Sequence, residues 1–178
     1  MLPDGGVLSA PFGSTGGQML RWFEQVTKAD LALVGGKNAS LGEMIQHLTA
    51  EGIRVPGGFA VTADGFRAFL AHNLLEPQMR AELDRLEAGA ALHDVGGRIR
   101  AALEAGELPA ELVSLIRAAY VELGHRAGRV DPPVAVRSSA TAEDLPDASF
   151  AGQQETFLNV IGADALLDAV RRCFASLY

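Results

Sequence analysis

Cysteine is almost absent from the sequence, since Cys173 is the only one among 178 residues. A single thiol excludes an internal disulfide framework. His72, His93 and His125 are scattered, and none has a second histidine or cysteine at the spacing of a metal-binding pair, so we predict no metal ligand among them. Because Cys173 lies in an apolar stretch with helical spacing, we expect it to be a buried core thiol.

Positive charge and long apolar runs are also scarce. The chain has 15 Lys and Arg against 22 Asp and Glu, a formal net charge of −7. This balance disfavours a nucleic-acid backbone or an anionic membrane as a general partner, without excluding a local basic pocket for phosphate. No apolar run approaches the length of a membrane span. Residues 1–18 contain no Lys or Arg, so they fail as a signal peptide. We therefore expect a cytoplasmic protein that binds neither nucleic acid nor membrane.

The remaining composition is that of an ordinary globular protein, with 48% hydrophobic and 21% charged residues. Residues 1–18 are rich in Gly, Ser and Pro and lack apolar periodicity, which predicts a disordered tail. We expect residues 19–178 to form one folded unit that is long enough to bury a core of its own.

Short β-type runs alternate with amphipathic helical segments along the chain. We predict strands at residues 31–34, 59–61, 134–136 and 155–160. Ser40 and Glu43 have the spacing of a helix-capping box, and Thr62 is placed to cap a second helix. Three further helices form a predicted helical insertion at about residues 75–129, and a last helix covers residues 163–178. The sequence therefore predicts an α+β fold in which a small mixed sheet packs against helices.

The first candidate binding motif is Val-Gly-Gly-Lys-Asn-Ala-Ser at residues 34–40. Glycines let the backbone approach a ligand closely, and a helix start offers free N–H groups to an anion. Lys37 adds a mobile positive charge suited to phosphate. The spacing is not that of a Walker A loop, and the alternative is a glycine-rich turn with a solvated lysine.

The second motif is Val-Arg-Ser-Ser-Ala-Thr-Ala-Glu-Asp at residues 136–144. An arginine at a strand end followed by hydroxyl groups suits bidentate recognition of phosphate oxygens, which makes Arg137 a candidate phosphate ligand. The alternative is that Arg137 forms an ion pair with Glu143 or Asp144 within the loop.

The third motif is Ser-Phe-Ala-Gly-Gln-Gln at residues 149–154. A small-residue loop around Gly152 can fold over a polyphosphate and present backbone N–H groups to it. The alternative is an ordinary connection with Gly152 at a positive φ. The predicted lid residues are Ser149, Phe150, Ala151 and Gln153.

Each of the three motifs adjoins a predicted strand and offers groups that bind anions without a metal cluster. A nucleoside triphosphate held between them is a common explanation for all three.

Two stretches that together contain all three motifs carry a resemblance to a known family. Residues 34–44 (Val-Gly-Gly-Lys-Asn-Ala-Ser-Leu-Gly-Glu-Met) and the long stretch 136–160 resemble the N-terminal nucleotide-binding domain of phosphoenolpyruvate synthases, within the pyruvate, phosphate dikinase family. Residues 55–66 also fit, and the resemblance covers about residues 22–178. Asn38 and Ser40 make the first stretch more similar to the synthases than to the rifampicin phosphotransferases of the same group.

The resemblance implies an ATP-grasp-type domain that holds ATP between two lobes. By motif position, Lys37 and Arg137 would contact ATP phosphates, Gly152 would belong to the loop over them, and Thr156 would lie beside the nucleotide. The family transfers phosphate from ATP to a histidine on a swivelling domain and then to pyruvate, and it requires Mg²⁺. The products are phosphoenolpyruvate, AMP and inorganic phosphate.

The resemblance also implies that much of such an enzyme lies beyond Tyr178. The family's second ATP-binding lobe with its metal-binding acids, its phospho-accepting histidine and its pyruvate-binding barrel all follow this region. We therefore expect half of an ATP site here, with the Mg²⁺ ligands and the pyruvate site outside this chain. The alternatives are a rifampicin-type phosphotransferase and a free-standing nucleotide-binding module without catalysis.

Overall fold

A computed structural model describes residues 19–140 and 155–178, with the side chain of Ala50 excepted. The predicted tail at residues 1–18 and the third motif at residues 149–154 lie outside these ranges. Helices and short strands alternate along the described chain. In order, they are β1 (Leu20–Trp22), α1 (Leu31–Val34), α2 (Gly36–Leu48), β2 (Phe59–Val61), α3 (Ala63–His72), α4 (Leu75–Glu87), α5 (Leu92–Ala105), α6 (Ala110–Ala127), β3 (Val134–Arg137), β4 (Thr156–Val160) and α7 (Ala163–Ala175).

The strands of the described residues form two separate antiparallel pairs. β1 pairs with β2 in the register Leu20 opposite Val61, and β3 pairs with β4 so that Arg137 lies opposite Thr156. The α+β class is thus confirmed, but the described strands do not join into the single mixed sheet that we predicted. Strand β1 was not predicted, because three residues are too few for a period-2 pattern to stand out.

The predicted strand at residues 31–34 is wrong, because this segment is the single helical turn α1. Leu and Ala are among the strongest helix formers, so a four-residue apolar run of this composition does not distinguish strand from helix. The preceding turn, Lys28–Asp30, is already a 3-10 helix, and Thr27 and Asp30 form its capping box. The backbone is therefore already in a helical conformation when it reaches residue 31.

The predicted start of the next helix is also wrong. Helix α2 begins at Gly36, four residues before the capping box that we predicted at Ser40 and Glu43. Ser40 is exposed within the helix, and the Glu43 carboxylate instead accepts a hydrogen bond from the backbone N–H of Lys28 at 3.1 Å. By contrast, the predicted cap of α3 is confirmed, because the Thr62 hydroxyl accepts from the N–H of Gly65 at 3.4 Å.

The main core lies between helices α3 to α7. At its centre are fully buried side chains from α3, α5 and α6, among them Phe69, Leu103, Ile116 and Tyr120. Phe174 of α7 completes an aromatic cluster with its ring 5.3 Å from that of Phe69. The helices predicted in the middle of the chain are therefore present, and they bury much of the molecule's apolar surface.

Three large apolar side chains of helices α2, α4 and α5 are exposed. Met44, Leu83 and Leu92 keep 43%, 45% and 71% of their surface accessible to solvent. Leu92 is the first residue of α5, where the helix has not yet reached the core. Periodicity identifies the buried face of a helix better than it identifies where along the helix burial begins.

Across the described residues, every helix is either too short or too polar to cross a membrane.

A second, smaller core lies under the first motif. Val26, Val34, Ala39 and Ala60 are buried together, and they hold α1 and α2 against β2. This cluster fixes the position of the loop between α1 and α2, which carries the first candidate motif.

Candidate functional site

An open cleft of about 1270 Å³ lies where the two strand pairs approach each other. Residues from α2, β2, β3, β4 and α7 line it. Arg137, Ser139 and Thr156 are on one wall, and Asn38 and the turn at Gly58 belong to its lining as well. The cleft therefore adjoins both of the described candidate motifs.

Arg137 and Thr156 are direct partners across the β3–β4 ladder. Opposite residues of an antiparallel pair project from the same face of the sheet, a few ångströms apart. Both residues are exposed and both line the cleft. In the part of the chain that is described, no carboxylate lies within ion-pair distance of Arg137, while Glu143 and Asp144 fall outside it. Among the described residues, Arg137 is thus an exposed cation in the lining of the cleft.

Lys37 lies in the first turn of α2 and is exposed. It is not itself among the residues that line the cleft, although its neighbours Val34 and Asn38 are. The side chain therefore stands at the rim, where its flexible four-carbon stem allows the ammonium group to reach inward.

The first and second motifs touch each other directly. The backbone N–H of Gly36 donates to the carbonyl oxygen of Ala140 at 3.4 Å, and the N–H of Asn38 donates to Ser139 Oγ at 3.4 Å. We call this contact between residues 35–38 and 139–140 the motif junction. It joins positions that are about a hundred residues apart in the sequence, and it occupies two N–H groups that we expected to be free for an anion.

Gly35 makes the motif junction possible. A Cβ atom at this position would lie 2.4 Å from both the carbonyl oxygen and Oγ of Ser139. Its backbone angles, φ 79° and ψ 165°, fall in a region that only glycine adopts without strain. The glycine is thus required by the approach of Ser139 and by its own conformation.

Asn38 and Ser139 are site residues that the sequence reasoning did not single out. The Asn38 side-chain amide donates to the carbonyl oxygen of Val34 at 2.8 Å, which closes the end of α1. Ser139 acts through a contact with no local signature in the sequence, because its partner lies 101 residues away. Only the pair of glycines before Lys37 signals that another part of the chain comes close.

A buried tyrosine holds the start of β3 and the end of β4. The Tyr120 hydroxyl donates to the carbonyl oxygen of Pro132 and accepts from the N–H of Gly162, each at 2.9 Å. Ser138, 6% exposed, lies 3.5 Å from the Ser176 hydroxyl. The strand that carries Arg137 is therefore anchored to α6 and α7.

The charged side chains in the described lining of the cleft are Arg100, Arg137 and Glu155. Arg100 donates to the backbone oxygen of Tyr178 at 2.5 Å, and the Glu155 carboxylate lies 3.9 Å from the Arg172 guanidinium. Cys173 also lines the cleft, but burial raises the pKa of its thiol to about 12, with a further contribution from Glu155. The thiol therefore stays protonated at neutral pH and is unsuited to act as a nucleophile. The prediction of a buried core thiol is confirmed.

The described residues do not fit a magnesium ion. They contain no group of three metal-ligating side chains, and the one carboxylate of the cleft is paired with an arginine. Because Mg²⁺ requires oxygen ligands in near-octahedral geometry, we derive no chemical step through a metal held by these residues.

Comparison with known proteins places this arrangement among nucleotide-binding domains. Residues 31–178 match the family model described as the pyruvate phosphate dikinase AMP/ATP-binding domain. Phosphoenolpyruvate synthases from Neisseria meningitidis serogroup B and Deinococcus radiodurans are 55% and 54% identical to the chain over 159 and 162 residues. These alignments cover 88% and 90% of the chain but 20% of each relative. The Escherichia coli K12 phosphoenolpyruvate synthase is 48% identical over 162 residues, with 90% of the chain and 20% of the relative covered. The chain thus spans about one fifth of the length of the curated relatives that it matches.

Proposed function

The chain belongs to the pyruvate phosphate dikinase AMP/ATP-binding domain family, and from this we propose that it is the ATP-binding part of a phosphoenolpyruvate synthase. The complete enzyme would convert pyruvate, ATP and water to phosphoenolpyruvate, AMP and phosphate. The named relatives favour this reaction over transfer of phosphate to rifampicin.

The observation that carries the proposal is the convergence of the first and second motifs beside one cleft. Arg137 and Thr156 are partners on the cleft wall, and the motif junction brings the backbone of residues 36–38 to the same wall. In the proposed site, Arg137 holds two phosphate oxygens of ATP in fixed geometry and Lys37 supplies a mobile positive charge. Thr156 lies beside the nucleotide.

The loop over the phosphates belongs to the same proposal. Gly152 and the predicted lid residues Ser149, Phe150, Ala151 and Gln153 lie between Ala140 and Glu155. Both of these flanking residues line the cleft. We propose that this small-residue segment covers the bound polyphosphate and presents backbone N–H groups to it.

The remaining parts of the proposed enzyme lie outside the described residues. In this account the fold is the first part of an ATP-grasp-type domain, and Mg²⁺ accompanies ATP with its protein ligands supplied from elsewhere. The phospho-accepting histidine and the pyruvate site are likewise supplied by other parts of the longer protein.

The proposal is tested in a full-length enzyme, made by replacing the matching segment of one relative with this chain; we call it the chimeric synthase. Arg137→Ala should lower kcat/KM for ATP by roughly 30- to 1,000-fold, since a charge-assisted contact to the transferring phosphates is worth ~2–4 kcal/mol. Arg137→Lys should fall nearly as far, because a lysine cannot reproduce the bidentate contact. Lys37→Ala should have the smaller effect of the two alanine variants.

The matched control is Arg80→Ala, which removes an exposed arginine of α4 that lies outside the cleft lining. Its kcat/KM and melting temperature should equal those of the unmodified chimeric synthase. Unchanged ATP kinetics in folded Arg137→Ala and Lys37→Ala would remove both residues from the site. A folded chimeric synthase that forms no AMP from ATP and pyruvate would contradict the proposed function itself.

A further inference from the structure

The backbone of Lys37 is held from both sides by the second motif. The residue before it, Gly36, donates its N–H to Ala140, and the residue after it, Asn38, donates its N–H to Ser139 Oγ. Arg137 precedes Ser139 by two residues at the end of β3. The chain segments that carry the two cationic side chains are thus connected by two hydrogen bonds.

The motif junction leaves no room for a side chain at residue 35. A methyl group at Gly35 would meet two oxygen atoms of Ser139 at 2.4 Å, which is closer than any real side-chain contact. A substituent there would have to push Ser139 away, and with it the segment that follows Arg137.

Each side of the motif junction is anchored separately to the rest of the molecule. The first side is fixed by the 2.8 Å bond from the Asn38 amide to Val34 and by the buried Ala39. The second side is fixed by Ser138, which is buried against α7. These contacts hold each side to its own surroundings, and the two hydrogen bonds of the motif junction join one side to the other.

We propose that Ser139 and Gly35 are positioning residues that set the separation between Lys37 and Arg137 to match the polyphosphate of ATP. This inference rests on the proposed function, and it assigns neither residue a direct contact with the nucleotide. Ser139 acts by accepting the Asn38 N–H, and Gly35 acts by allowing Ser139 to come close.

The first test is a double-mutant cycle in the chimeric synthase. Ser139→Ala should raise KM for ATP about three- to tenfold, the value of one hydrogen bond. It should leave KM for pyruvate unchanged, because pyruvate binds elsewhere. In a Lys37→Ala background the same substitution should raise KM for ATP by less than about twofold, because the group that Ser139 positions is already gone. Ser114→Ala, which removes an exposed hydroxyl of α6, is the control and should change neither constant.

The second test compares two glycines with nearly the same backbone conformation. Gly162 has φ 87° and ψ 149°, close to the angles of Gly35, and a Cβ there would meet no atom within 4 Å. Gly35→Ala and Gly162→Ala therefore introduce similar backbone strain, but only the first displaces Ser139. We expect Gly35→Ala to raise KM for ATP about tenfold or more, and Gly162→Ala to leave it within about twofold.

The outcomes separate this inference from the function on which it rests. If Ser139→Ala raises KM for ATP equally with and without Lys37, Ser139 does not act by positioning Lys37. If it has no effect while Arg137→Ala does, the motif junction is only structural, and the inference is overturned with the proposed function intact. If Lys37→Ala and Arg137→Ala leave ATP kinetics unchanged, the proposed site fails. Should Gly35→Ala not fold, the Ser139 cycle alone decides the matter.

Discussion

Gly42 lies where the helix that carries Lys37 packs closest to the rest of the protein. A Cβ at this position would stand 2.3 Å from the carbonyl oxygen of Val26, a residue with no accessible surface. The glycine that ends the Gly-Gly-Lys-Asn-Ala-Ser-Leu-Gly stretch therefore serves close packing of α2 on the backbone of residue 26. No contact with a ligand is needed to explain it.

Gly42→Ala should destabilise the chain, although alanine favours a helix more than glycine does. The gain in helix propensity is about 0.5–1 kcal/mol, whereas overpacking against a buried backbone costs about 1–3 kcal/mol. The clash outweighs the propensity gain, so we expect a lower free energy of unfolding in urea titrations of the 178-residue chain. The control is Gly97→Ala within α5, where a Cβ meets nothing within 4 Å and should add about 0.5–1 kcal/mol of stability. Stabilisation by both substitutions would show that α2 does not pack as described.

At the same scale, the sequence predicted some cleft residues and missed others for a physical reason. Arg137 follows a short β-type run that marks the end of its strand locally, whereas Thr156 was predicted from the family resemblance alone. Ser139 and Asn38 act through a contact between distant parts of the chain, and nothing in their immediate neighbours specifies it. When the role of a residue depends on a close approach between distant parts of the chain, the sequence indicates it only through the residue that allows the approach, here Gly35.

Among the elements, α6 supplies a buried side chain that holds the β3–β4 pair in place. Tyr120 on its buried face bonds Pro132 ahead of β3 and Gly162 ahead of α7. One side chain thus ties three elements together, and the periodicity of α6 predicts its burial without predicting these bonds.

Tyr120→Phe should lower the free energy of unfolding by about 1–3 kcal/mol, because it leaves the Pro132 carbonyl and the Gly162 N–H without their partner while keeping the ring. The melting temperature and chemical unfolding of the 178-residue chain give the measurement. Tyr178→Phe, at a partly exposed ring, is the matched control and should change stability by less than about 0.5 kcal/mol. Equal effects of the two substitutions would mean that the Tyr120 hydroxyl does not join these elements.

Secondary structure was predictable at this scale wherever an element is long. The helices from α3 to α7 were predicted because apolar residues recur over several turns. The four residues of α1 were wrongly assigned to a strand. Their helical turn is set by the preceding 3-10 helix and by the Asn38 amide, and neither contact shows in the four residues themselves. The start of α2 was placed too late, because its first N–H groups are satisfied by residues from the second motif.

In the molecule as a whole, residues from β2, β3 and β4 and from the helices line one wide cleft. The sequence predicted the α+β class, but the pairing of strands into two separate units depends on contacts between distant residues, which local patterns do not specify. Membership in the pyruvate phosphate dikinase AMP/ATP-binding domain family and the small share of each relative that is covered agree with a nucleotide site that other parts of a longer enzyme complete.

The central claim is that ATP binds along this wall, and amide hydrogen exchange of the chimeric synthase with and without ATP tests it most directly. The account predicts that ATP slows exchange at residues 36–38, 134–140 and 156–160, since ordering by a bound polyphosphate suppresses local opening. Exchange in α4, which contributes no residue to the described lining of the cleft, should stay the same. Saturating ATP that protects other regions and leaves all three of these segments unchanged would contradict the account.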